Sequence, residues 1–79
     1  MQASEFLSFV IDSLVECKNE VTIEEKHDDL GTLLTLKVAK SDMGTIIGKE
    51  GRTISAIRTV LRVYGSKHDE RVNLKIIEE

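Results

Sequence analysis

The segment richest in chemistry is Gly48-Lys49-Glu50-Gly51-Arg52, led in by Ile46-Ile47 and followed by Ile54 and Ile57. Two glycines three positions apart clear side chains from a tight turn, so another backbone can reach the turn's N–H groups. A helix opening at Arg52 sets those groups at its N-terminal end, where the dipole favours an anion. Lys49 and Arg52 add a mobile and a forked cation on the same rim. The chemistry this suits is holding a phosphodiester by geometry more than by charge. Taken alone, two glycines at this spacing are more often helix caps, so the rest of the chain has to decide.

Other constellations carry less. Gly44-Thr45-Ile46-Ile47-Gly48-Lys49-Glu50 is one residue short of a GxxxxGK nucleotide loop and lacks its Ser/Thr. His27 and His68 fall in turn-like stretches far apart in the chain, and Cys17 is alone, so no metal-ligand spacing exists. Carboxylate pairs such as Glu24-Glu25 and Glu78-Glu79 read as solubilising surface, and no nucleophile–base pair is evident. The expectation is a non-enzymatic protein with no metal and no cofactor. Gly44 reads equally as a point of close approach to a nucleotide and as a poor helix residue tolerated for packing.

The elements that must position the glycine turn are legible from periodicity. Residues 4–17 have a helical apolar side through Phe6, Leu7, Val10, Ile11, Leu14 and Val15, which turns Cys17 inward as a small packed residue. Val21 and Ile23 alternate with polar residues to Lys26, and Leu34, Leu36 and Val38 alternate over about 32–39. With the turn His27-Asp28-Asp29-Leu30-Gly31 between them, these two strands form an antiparallel hairpin. Ser41 caps a short helix over 42–47, with Asp42 in its first turn. A second helix runs from Arg52 to Tyr64 and stops at Gly65 as a left-handed cap. Val72, Leu74 and Ile76 then mark a last strand, parallel to the second because a two-helix crossover precedes it. The order α-β-β-α-α-β predicts an α+β two-layer sandwich, a three-stranded mixed sheet covered on one face by helices.

Composition sets bounds on partners. Seventy-nine residues allow one domain, 1–79, with a thin core. Eleven Lys+Arg against 14 Asp+Glu give −3, and a pI near 5.4 excludes a protein that coats nucleic acid through bulk charge. The charge is uneven. Residues 1–31 hold two bases against eight acids, whereas 40–67 hold six bases against Asp42 and Glu50. An anionic partner should therefore dock on the later stretch. No run is apolar and long enough to span a bilayer, the start lacks the cationic region of a signal peptide, and a single cysteine suits the cytoplasm.

The pattern I-I-G-x-x-G-x-x-I within α-β-β-α-α-β resembles the KH nucleic-acid-binding domain in its type II, prokaryotic topology, over nearly the whole chain. That resemblance implies a partner, single-stranded RNA, whose backbone is clamped over about four nucleotides by the GxxG loop. Carried over, the clamp is Gly48, Lys49, Glu50 and Gly51, followed by Arg52. Bases then lie in an apolar groove between the helix pair and a sheet edge, with Ile47 and Ile54 as candidates for its floor or for plain core. Lys40, Arg58 and Arg62 are candidates for auxiliary phosphate contacts, although a solvated face is the simpler reading of the two arginines. Glu50 inside the clamp, Asp28 and Asp29 in the hairpin turn on the opposite wall, and three aromatics in all argue for modest affinity. Ala56, Val60 and Val63 form a second apolar set on the last helix, a candidate dimer face at Val60 and Val63. The resemblance points the same way, to a homodimer and to pairing with a larger Jag-type KH protein, and it implies RNA-chaperone or post-transcriptional work. A protein-interaction scaffold with degenerate RNA binding is the alternative.

Overall fold

A computed structural model describes residues 2–78, with the side chain of Glu78 left aside. The elements are α1 (Ala3–Asp12), β1 (Thr22–Asp28), β2 (Gly31–Val38), α2 (Met43–Ile47), α3 (Arg52–Lys67) and β3 (Val72–Glu78), with 3-10 turns at Lys18–Glu20, Lys40–Asp42 and Lys49–Gly51. The sheet order is β1-β2-β3. β1 and β2 pair antiparallel from Thr22↔Lys37 to Asp28↔Gly31, and β2 and β3 pair parallel from Thr32↔Val72 to Val38↔Glu78. This is the expected α+β order with its mixed sheet.

Alternation along β2 sends Leu34, Leu36 and Val38 to one side, where all three are fully buried. Leu7 and Ile11 of α1, Ile46 of α2, Leu61 of α3 and Leu74 of β3 meet them there in one core. The helices therefore cover that face of the sheet and leave the other open. Phe6 stacks on Tyr64 at 5.7 Å, and Tyr64 meets His68 at 4.5 Å, which ties α1 to the last turns of α3.

Three boundaries differ from expectation, each for a tertiary reason. α1 stops at Asp12 rather than running to residue 17, although Val15 still packs into the core. The N–H groups of Glu16 and Cys17 donate instead to Oδ1 and Oδ2 of Asp42, both at 3.1 Å. Cys17 thus lies half-buried in a loop, 4.0 Å from the Ser41 hydroxyl, and not on a helix face. Ser41 does not cap α2: Asp42 is its N-cap residue, and the Asp42 carboxylate faces back to the first loop. Gly65 is no left-handed cap either, because α3 continues to Lys67 and the positive φ falls at Asp69. A Cβ on Gly65 would sit 2.3 Å from the Glu70 carbonyl oxygen, so its bareness admits the chain leading into β3.

The hairpin turn is tighter than its composition suggested, with only Asp29 and Leu30 outside the ladder. His27 consequently lies within β1. Its ring meets Glu25 and the Thr32 hydroxyl, and that hydroxyl donates to Glu70, so it is a partnered side chain and not a free loop residue. Among the described residues no helix is long and apolar enough to cross a membrane.

Candidate nucleic-acid interface

The turn between α2 and α3 is built almost wholly from left-handed backbone. Gly48 has φ 77° and ψ 176°, Glu50 φ 58° and ψ 25°, and Gly51 φ 75° and ψ 14°. At Gly48 a side chain is doubly excluded: such a φ with an extended ψ is open to little but glycine, and a Cβ would lie 2.2 Å from Thr53 Oγ1. Gly51 has open space around it, so only its φ asks for glycine.

The turn uses some of its amides on itself. Gly48 N–H donates to the Gly44 carbonyl at 2.8 Å, Gly51 N–H to that of Gly48 at 3.2 Å, and Arg52 N–H to that of Lys49. The N–H groups of Lys49 and Glu50 find no acceptor among the described residues. The free donors are therefore the two middle residues and not the glycines. The two glycines supply the bend that aims them.

Around these donors lie the cations. Lys49 and Arg52 are exposed, and Arg52 Nη2 sits 3.3 Å from Glu50 Oε2. Lys40, on the 3-10 turn that leads into α2, is also exposed. Ile47 and Ile54 part company. Ile47 is 36% exposed beside the turn, whereas Ile54 is 6% exposed and belongs to the core, so only Ile47 presents apolar surface to a ligand.

Along α3, Arg58, Leu61 and Arg62 face Val72, Asn73 and Leu74 of β3 across a narrow groove, and β3 is an edge of the sheet. The groove begins about 9 Å along the helix from the turn at 1.5 Å per residue. It widens toward Ser66, Asp69 and Arg71. The hairpin tip carrying Asp28 and Asp29 lies at this far end, since Gly31 packs on Arg71 and α3 starts at the turn. The sheet edge was expected beside the groove, but Asn73 was not singled out, because an exposed Asn in a strand has no local signal of what lies beside it. Asp42 escaped likewise, its partners being 25 and 26 residues away.

On the other flank of α3, Phe6, Val10 and Leu14 face Ala56 and Val60 across an apolar groove. Phe9 is 70%, Val63 52% and Val60 45% exposed. Hydrogen bonding from Ser4, with a further contribution from His27, holds the Glu25 carboxyl below its ordinary value. The Cys17 thiol is pushed up: the Ser41 contact lowers it, but desolvation and the charges of Asp42 and Glu20 outweigh that.

An αββααβ chain with a parallel last strand and a GxxG turn joining its last two helices is a type II KH fold. The family model described as "KhpA/KhpB, KH domain" matches residues 4–76, and the chain belongs to that family. It is similar to a protein named RNA-binding protein KhpA from Chlamydia pneumoniae, 49% identical over 75 residues, covering 95% of this chain and 96% of the relative. Relatives of the same name from Clostridium acetobutylicum (42% over 73 residues, 92% and 97% covered) and Listeria monocytogenes (39% over 74 residues, 94% and 97% covered) match as well.

Proposed function

We propose that this chain is a single KH domain that binds single-stranded RNA in the manner the KhpA name denotes, as a chaperone or post-transcriptional regulator in the cytoplasm and without catalysis. The observation that carries this reading is the pair of unoccupied N–H groups at Lys49 and Glu50, held outward by the Gly48–Gly51 bend. A phosphate set against them also meets Lys49 and the N-terminal end of α3. Arg52 follows once it leaves Glu50, and Ile47 offers its exposed edge to a sugar or base. Arg58 and Arg62 then flank the bases, and Lys40 adds long-range attraction. Ile54 acts from behind, as core.

Replacing both Lys49 and Glu50 by Asp tests this. RNA affinity is expected to vanish while circular dichroism and melting stay near wild type, since Asp tolerates the left-handed conformation of position 50. Collapse of the fold in that variant would make the turn purely structural. With about two to four phosphates neutralised, log K should fall against log salt with a slope of roughly −1.5 to −3. A flat salt response, or tighter binding to duplex than to single strand, overturns the reading.

Self-association is the second part of the proposal, supported by the apolar α1–α3 groove and by the exposure of Phe9, Val60 and Val63. A second copy, or a KhpB-type KH protein, would bury it. Sedimentation of wild type against Val60→Asp checks this: a dimeric wild type and a monomeric variant are expected, and a monomeric mass in both excludes a homodimer through that face. A dimer with no RNA affinity would favour the scaffold role instead.

A further inference from the structure

β3 is a free edge, and it carries the same sign of charge on both sides. On the helix side Arg58 and Arg62 line the groove already described. On the other side strand alternation turns Asn73 and Lys75 outward, because Val72 and Leu74 beside them are buried; Arg71 just before the strand has the same parity, and at this edge it and Asn73 also border the helix-side groove. Lys37 of β2 points the same way, between buried Leu36 and Val38. Its register partner is Ile77, which makes Lys75 its diagonal neighbour, about 8 Å away from strand spacing and rise.

No helix among the described residues covers this face. Among the described residues its β2–β3 half holds three bases and no carboxylate, and none of Lys37, Arg71 and Lys75 is in an ion pair. The acids nearby lie around it. Glu24 and Asp28 are on β1 as the partners of Thr35 and Gly31, Asp69 and Glu70 precede the strand, and Glu70 is occupied by Thr32 and His27. In a chain of net charge −3, a carboxylate-free half-face beside a cationic groove is complementary to a polyanion.

We infer that the open sheet face is a second RNA contact, on which a strand longer than the clamp holds continues over the β3 edge to Arg71, Lys75 and Lys37. The inference rests on the clamp reading above. Same-face residues of β3 recur every 6.6 Å or so, a spacing an extended sugar-phosphate chain can follow. The face has Leu33 and Ile77 but no aromatic ring, so it offers no stacking platform and reads phosphates, not bases. It therefore adds affinity with length and no sequence preference.

Fluorescence anisotropy with single-stranded RNAs of about four and about ten nucleotides tests this on wild type, on Lys37→Gln with Lys75→Gln, and on Lys18→Gln with Lys67→Gln as a charge-matched control off the face. The longer RNA should bind wild type about tenfold more tightly than the shorter, and the sheet-face variant should lose that gain with its salt slope shallower by about 1.4. Its affinity for the short RNA should stay within about twofold, as should both affinities of the control. Equal long-RNA binding by wild type and sheet-face variant overturns the inference, and so does an equal loss in the control. A wild type that binds neither RNA sinks the clamp reading and this one with it, whereas one that binds both lengths equally sinks this one only.

Discussion

Gly48 and Gly51 look equivalent in the sequence and are not. Gly48 combines a conformation nearly closed to L-residues with a Thr53 contact that a methyl group cannot enter, whereas Gly51 asks only for a left-handed φ. Gly48→Ala should cost about 3 kcal/mol or more in urea melts. Gly51→Ala should cost about 1–2 kcal/mol. Equal losses would mean that the Thr53 packing has no energetic weight. Glu50 is the other informative position, since its carboxylate holds Arg52 and, on the clamp proposed above, stands beside the phosphate site. Glu50→Gln should raise RNA affinity severalfold and steepen the salt slope by about 0.7, the increment for one more neutralised phosphate. The GxxG spacing showed where the bend lies, but which amides the bend leaves unused depends on three backbone bonds that no residue type announces.

Among the elements, α1 and α2 are fastened by one side chain. Asp42 is 3% exposed, and its carboxylate accepts the Glu16 and Cys17 N–H groups of the loop after α1. Asp42→Ala strands two donors and should cost about 2–4 kcal/mol, read by thermal or urea unfolding. Asp42→Asn, which keeps one acceptor, should cost less, and a neutral Asp42→Ala would show that water replaces the carboxylate freely. Gly44 sits on α2 with nothing within 4 Å of a Cβ built on it. Gly44→Ala should therefore stabilise the chain by about 0.5–1 kcal/mol, and a simultaneous loss of RNA affinity would mark the position as one of close approach. The strands and the order of elements were legible because period-two runs and the 3.6-residue stripe of α3 are local signals. The end of α1 was not, because its apolar period runs on through Leu14 and Val15 while Asp42 draws the next two amides away. Gly65 misled for a related reason: a bare backbone near a helix end serves close approach to Glu70 as readily as a cap.

At the scale of the molecule, acid tolerance and thiol reactivity follow from how the layers meet. Glu25 lies on β1 against Ser4 of α1, and its folded-state value is depressed. Its stabilising contribution is thus present above the ordinary Glu range near 4.3 and is lost as pH falls through the lowered value. Melting temperature should drop through that window, and Glu25→Gln should flatten the drop. An unchanged acid limb in the variant would assign acid sensitivity elsewhere. The raised Cys17 thiol should alkylate slowly at neutral pH compared with a free cysteine, measured by iodoacetamide uptake. The parallel pairing of β2 with β3 has a further outcome in time. Thr32 and Val72 are register partners forty positions apart, so that loop must close before β3 gains its pairing with β2. During synthesis the hairpin emerges first and waits with one flank of β2 unpaired, a template for a neighbouring nascent chain. The slowest stage of folding should be the arrival of β3, and crowding on the ribosome is when this small protein is most exposed to mispairing.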